Sequence, residues 1–123
     1  MTIQKIADDF TTMLRAGQFG EAGAKYWADD VVSIEAGSPP GGPDPRSAGR
    51  AAVAGKGEWW TANHEVHGST VEGPLVNGDQ FVLRIKMDVT QKASGQRMAM
   101  DGIALYTVRN GKIAEERFFY AMG

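Results

Sequence analysis

The sequence predicts an α+β fold in which three N-terminal helices pack on a curved antiparallel sheet. Two observations predict it. Apolar residues recur every three to four positions through the first half of the chain, and every two positions from Glu65 onward. The second half is also punctuated by Asn77-Gly78-Asp79, Ala93-Ser94-Gly95 and Asn110-Gly111, turn chemistry that joins successive strands into a meander. Helices first and hairpins afterwards is the order of an α+β domain. A chain of 123 residues suffices for one such domain and not for two.

Ile3, Ile6, Ala7, Phe10, Met13 and Leu14 make the apolar stripe of a first helix, with Thr2 placed to cap its start and Gly17 its end. A shorter second helix carries Phe19, Ala22, Gly23, Tyr26 and Trp27 on one side and stops at Asp29-Asp30; residues 31–35 then read as a short strand. Segment 37–49, GSPPGGPDPRSAG, is neither helix nor central strand, because proline lacks the amide donor and restricts the residue before it. A loop of that length is either a lid or rim, or a tolerated surface insertion. Ser47 opens a third helix carrying Ala51, Ala52, Val53, Trp59 and Trp60, weakened by Gly55 and Gly57. Four strands follow at 65–76, 80–91, 96–108 and 112–120.

The turns predict which side chains look inward. Gly95 stands where a left-handed bulge residue would follow a type I turn, which pairs Lys92 with Gln96 and Met87 with Asp101. Phe81, Leu83, Ile85 and Met87 then share a face with Asp101, Ile103 and Leu105. A plain turn at Ala93-Ser94 would instead put Met98 and Met100 on that face. Asn110-Gly111 pairs Arg109 with Lys112, hence Leu105 with Glu116, Ile103 with Phe118 and Asp101 with Tyr120. The expected inner face is apolar except for Asp101, Glu116 and Tyr120. The expected outer face carries Met98, Met100, Ala104, Tyr106 and Val108, an apolar strip that a second copy of the chain would cover in a homodimer.

Composition narrows the function classes. Thirteen Lys and Arg against fifteen Asp and Glu leave a net charge of −2, so no basic stripe is available for nucleic acid. Zero Cys excludes disulfides and thiolate chemistry and fits a reducing cytoplasm. Asp8 and Asp9 interrupt the start where a signal peptide needs an apolar run, and no apolar stretch approaches membrane-spanning length. His64 and His67 lie three apart on a predicted strand, facing opposite sides, so no metal is expected. Without a glycine-rich phosphate motif or Gly-x-Ser-x-Gly, neither a nucleotide cofactor nor a hydrolase elbow is expected.

Helix, helix, a short strand after Trp27-Ala28-Asp29-Asp30, a loop, a third helix and four long strands together resemble the nuclear-transport-factor-2-like cone. Within that superfamily the chain is most similar to the SnoaL-like and ketosteroid-isomerase-like branch. The motifs carrying the resemblance are Leu14-Arg15-Ala16-Gly17, Ala28-Asp29-Asp30-Val31, Pro45-Arg46-Ser47-Ala48-Gly49 and Asn110-Gly111-Lys112-Ile113. The resemblance implies a single domain over residues 1–123 and a small-molecule pocket, on a scaffold that hosts several reactions and non-catalytic binders. In ketosteroid isomerases a carboxylate five residues after the second Asp of the Ala-Asp-Asp motif moves the proton; that position is Glu35 here. A protonated Asp with a Tyr donates to the developing oxyanion in that family. Asp101 is the counterpart of the Asp, two residues out of the family's spacing. The helix-one Tyr position holds Phe10, which has no hydroxyl, and Tyr120 is the alternative donor.

The expected chemistry is cofactor-independent proton transfer next to a carbonyl of a small, largely apolar molecule. Glu35 is the candidate base, and Asp101 or Tyr120 the oxyanion donor. Phe10, Trp59, Trp60, His64, Met87, Ile103, Glu116 and Phe118 are the candidate pocket lining. Burial on an apolar wall raises a carboxyl pKa, and neighbouring carboxylates raise one another further, so one of them can hold its proton near neutral pH. The competing expectation is a non-catalytic receptor or a dimeric interaction module on the same fold.

Overall fold

Helix α1 (Ile3–Arg15) forms where the apolar stripe predicts it. The Thr2 hydroxyl accepts from the Lys5 amide at 3.2 Å. At the other end Gly17, at φ +78°, lets its own N–H reach Leu14 O at 3.0 Å and that of Gln18 reach Met13 O at 2.9 Å. This is a Schellman closure, which needs a left-handed residue at that point. Helix α2 (Phe19–Tyr26) follows. It ends earlier than predicted, and β1 (Trp27–Ile34) starts at once.

The computed structural model describes residues 2–37 and 44–121. The predicted loop 37–49 therefore lies partly outside the described residues. Its described end contains a short strand β2 (Arg46–Ala48), antiparallel to β1 through Ser33 and Ser47. Ser47 thus extends a sheet edge instead of opening a helix; α3 (Arg50–Asn63) begins after Gly49, which sits at φ +88°. The remaining strands are β3 (His64–Asn77), β4 (Gln80–Gln91), β5 (Arg97–Arg109) and β6 (Lys112–Tyr120). All six join in one sheet of order β2-β1-β6-β5-β4-β3, with β1 parallel to β6 and every other neighbouring pair antiparallel. The sheet is curved and unclosed, and the three helices lie on it as an α+β cone. Among the described residues no helix is long and apolar enough to cross a membrane.

Two hairpins differ from expectation, each by one residue. Gly95 is left-handed at φ +70°, as predicted. It closes a four-residue loop, however: the Gln91 carbonyl accepts from the Gly95 amide at 2.8 Å, and the Gln91 amide donates to Gln96 O at 2.9 Å. Met87 therefore pairs with Met100, and Lys86 with Asp101. Because strand side chains alternate, that single step turns every residue of β5 over. Ala104, Tyr106 and Val108 face the core instead of solvent. Asp101 and Ile103 face outward.

The second difference is in β6. Arg109 pairs with Lys112 across Asn110-Gly111 as predicted, but a bulge between Thr107 and Val108 leaves Ala114 unmatched. Glu116 then faces Tyr106, Phe118 faces Ala104 and Tyr120 faces Gly102. The two shifts compensate: β4 and β6 keep their expected inner faces, and only β5 is reversed.

The core is the space between α1 and this inner face. Phe10 stands 4.9 Å from Tyr106, edge to face, and Phe81 stacks on Tyr106 at 4.8 Å, both between ring centroids. Ile6, Leu14, Val31, Val53, Leu83 and Ile113 close around them. The register makes a checkable distinction between two aliphatic residues. Leu83 is fully buried, whereas Ile103 is 39% exposed on the outer face. Urea unfolding should show Leu83→Ala costing about 2–5 kcal/mol and Ile103→Ala below about 1 kcal/mol. Equal costs would argue for the other face of β5.

Candidate functional site

Three elements bring polar side chains to the inner face at the β1–β6 junction. Ser33 and Glu35 are two apart at the end of β1, so they point the same way. The Glu35 amide donates to Pro45 O at 2.8 Å, which fixes the backbone just past the strand. Ser33 pairs with Glu116 across the parallel β1–β6 ladder, so Glu116, Phe118 and Tyr120 continue the same surface. Helix α3 crosses above, supplying Lys56 three residues after the buried Val53.

Lys56 Nζ lies 3.1 Å from Glu35 Oε1, donates to Ser33 Oγ and stands 5.1 Å from the centre of the Phe118 ring. The Tyr120 hydroxyl donates to Glu35 Oε2 at 3.2 Å. The Lys56 and Glu35 side chains are only 11% and 25% exposed, so this pair is largely screened from water. Burial and the Glu35 charge push the Tyr120 hydroxyl up to about 12, so at neutral pH it remains a donor. Tyr106, buried beneath, is pushed well above the ordinary range by desolvation, with Glu116 and Glu35 adding to the rise.

Glu116 is the unusual member. It is 6% exposed, and burial pushes its carboxyl up to about 7; Lys56 and the Trp27 indole oppose that rise and Glu35 adds to it. Its Oε1 has no hydrogen-bond partner among the described residues. The junction thus holds two carboxyls, one ammonium and phenol groups on an apolar wall, an arrangement able to give and take a proton.

The other predicted site residues fall in four places. Asp101 is a correction. It lies on the outer face, 49% exposed, where Arg84 grips it with two nitrogens at 3.0 and 2.7 Å. That guanidinium holds its carboxyl below the ordinary range, the opposite of the expected rise. Ile103 faces outward with it for the same reason, the four-residue turn. Phe10 is packed into the core among Tyr26, Phe81 and Tyr106. Met87 stays half-buried on the inner face. Trp59, Trp60 and His64 gather at the end of α3, where His64 stacks on Trp60 at 4.4 Å and its Nδ1 faces Trp60 O at 2.8 Å. His67 bonds Thr90 Oγ1 at 2.7 Å. Among the described residues no three His, Asp or Glu side chains converge as a metal ion would require.

Sequence reasoning missed Lys56, Ser33 and the inward aim of Tyr106. A signal for Lys56 was present: Val53, Lys56 and Trp60 fall on one helical face. Two surface concavities, of about 280 and 290 Å³, lie elsewhere, on either side of Trp27. Arg50 borders both and is committed to structure, donating to Trp27 O and Ala24 O at 2.8 Å each and so tying off the end of α2.

A family model for the SnoaL-like domain matches residues 1–120. The chain belongs to the SnoaL-like family. Among solved structures, a candidate SnoaL-like polyketide cyclase from Mesorhizobium loti is 57% identical, with a TM-score of 0.92 over 98% of this chain and 100% of that one. A candidate isomerase from Bacillus subtilis, 16% identical, shares the fold at a TM-score of 0.75 over 98% of this chain and 90% of that one. A protein with a ketosteroid isomerase-like fold from Catenulispora acidiphila is 18% identical, with a TM-score of 0.73 over 98% and 88%. No curated protein matches the sequence.

The raised carboxyl of this SnoaL-like protein makes stability depend on pH. Glu116 ionises near 4.5 when exposed and near 7 when folded. Between those values the folded state binds the extra proton, so stability falls as pH rises through that window. Glu116→Gln should lift unfolding free energy at about pH 8 by roughly 2–3 kcal/mol relative to the parent, with the gain fading below about pH 5. Urea titrations at the two pH values check it. A pH-independent difference would contradict the burial.

Proposed function

We propose that the β1–β6 junction binds a small, largely apolar carbonyl compound and moves a proton next to the carbonyl without a cofactor. The observation that carries this reading is Glu35 held between the Lys56 ammonium and the Tyr120 hydroxyl, with the buried Glu116 within reach of both the Lys56 and Glu35 charges. Glu35 is the base that takes the proton from the carbon beside the carbonyl. As that C–H bond breaks, negative charge develops on the carbonyl oxygen, and neutral donors stabilise it. Tyr120 is one donor. Glu116, protonated over part of the neutral range, takes the part expected of Asp101. The proton returns to the same carbon in exchange, or to a conjugated position in an isomerisation; an enolate attacking a second carbonyl would close a ring. The polyketide cyclase and isomerase relatives are consistent with this class of chemistry and do not name the substrate.

Deuterium exchange into a panel of ketones and polyketide-like compounds tests the reading. Glu35→Gln should slow exchange about 10²–10⁴-fold, the usual worth of a positioned base. Exchange undiminished in both Glu35→Gln and Glu116→Gln would refute it.

The Lys56–Glu35 ion pair favours a second reading, a receptor of the same pocket chemistry without turnover. Native mass spectrometry of the purified protein separates the two: a retained ligand with no exchange on any panel member supports the receptor. The proposal extends to a homodimer through the outer sheet face, in a reducing cytoplasm. The strip expected there turns to the inner face, with Ala104, Tyr106 and Val108 buried and Met98 and Met100 half-buried, but the cross-strand pair Ile103–Phe119 and Leu75 are exposed on the outer face. Light scattering at tens of micromolar should give twice the 13.2 kDa chain mass; the monomer mass would remove this extension.

A further inference from the structure

Trp27 opens β1, and its indole rests on α2. A Cβ built on Gly23 would lie 2.5 Å from Cη2 and Cζ2 of that ring and 2.6 Å from Cε2. Real side chains do not approach so closely, so the indole occupies its place only because position 23 is bare. Seated there, Trp27 buries its Nε1 with no hydrogen-bond partner, and Glu116 Oε1 on the neighbouring parallel strand is orphaned in the same way. These two are the buried side-chain polar atoms left unpaired among the described residues. They are complementary: an indole N–H only donates and a carboxylate only accepts. The ring is also near enough to favour the charged form of Glu116.

We propose that Trp27 is a positioning residue for Glu116, its indole N–H closing onto Oε1 when the carboxyl loses its proton and releasing it when the proton returns. Gly23 is the seat that holds the ring in reach. The inference rests on the proposed function only for its purpose, since Glu116 is there a proton-holding group; the contact itself needs no substrate. The other groups that act on Glu116 come from different elements. Lys56 on α3 draws it toward ionisation, Glu35 just past β1 opposes that, and Tyr106 faces it from β5, with Ser33 its neighbour on β1. Trp27 is thus a neutral donor beside one cation and one competing anion, and its effect is separable from theirs by substitution.

Indole ¹H–¹⁵N spectra of the whole protein, recorded between about pH 5 and 9, test this directly, because a titrating carboxyl moves the donor bonded to it. Trp27→Phe identifies the Trp27 signal against those of Trp59 and Trp60. The Trp27 signal should shift with a midpoint near that of Glu116, about 7, while the other two do not follow it. Glu116→Gln should flatten the Trp27 curve. In Trp27→Phe, the Glu116 carboxyl, followed by ¹³C, should become a weaker acid by about threefold or more, as loss of a charge-assisted donor requires. Gly23→Ala should reproduce that rise by displacing the ring. A pH-independent Trp27 signal, or an unchanged Glu116 midpoint in Trp27→Phe, would overturn the proposal. If a phenylalanine at 27 prevents folding, the Glu116→Gln spectrum still decides. Titration without any exchange activity would refute the proposed function and leave this contact standing; exchange activity with a flat Trp27 signal would do the reverse.

Discussion

The carboxyl end of the cone depends on one ammonium group. Lys56 is almost covered, and a covered cation persists only where anions and lone pairs replace its water. Glu35, the Ser33 hydroxyl and the face of Phe118 do so here. The placement follows from packing. Val53 anchors α3 in the core, and one turn later the same helical face delivers Lys56 to the end of β1. Two carboxyls then share one cation. Glu35 takes the direct contact, while Glu116, deeper and without an ion pair, is pushed up to about 7 by burial.

The wall opposite is set by small residues. With β5 turned as it is, Gly102 and Ala104 stand across from Tyr120 and Phe118. A Cβ on Gly102 would meet Phe119 O at 3.2 Å and Tyr120 Cβ at 3.4 Å, so the tyrosine lies close over a bare strand. Larger residues at those two positions would push the aromatic pair away from Glu35. The four-residue turn 92–95 thus reaches the chemistry indirectly. By choosing the face of β5 it exchanges Asp101 and Ile103 for Gly102 and Ala104, and it replaces a third carboxyl with room for a phenol.

The architecture was legible because periodicity and turn residues are local signals. The bounds of β4 and β6 could be read directly, and so could both ends of α1, since capping is chemistry within a few residues. The face of β5 was not legible. Gly95 is left-handed in a three-residue loop with a bulge and in the four-residue loop alike, so the glycine cannot distinguish them. The bulge at Ala114 leaves no mark either, because alanine suits both paired and unpaired positions. Glu35 could be named from the family resemblance and Tyr120 from the Asn110-Gly111 hairpin, whereas their contact spans 85 residues and depends on the parallel β1–β6 pairing. Lys56 was hidden by its surroundings: flanked by Gly55 and Gly57, it read as the weak middle of a helix.

Glu116 is the costly residue of this fold. A domain of this size is held by only about 5–15 kcal/mol in all, and an unpaired buried carboxyl subtracts from that at neutral pH. Leucine or methionine at the same point would fill the space between Tyr106 and Ser33 without the desolvation cost. Asp101 shows the contrast: paired by Arg84 in open water, its charge costs the fold little and provides no proton near neutral pH. Packing alone does not call for a carboxyl at 116, because its buried Oε1 has no hydrogen-bond partner among the described residues. What position 116 holds instead is a group that changes charge near neutrality, shielded from bulk water, across from the Tyr106 phenol and within reach of the Glu35 charge.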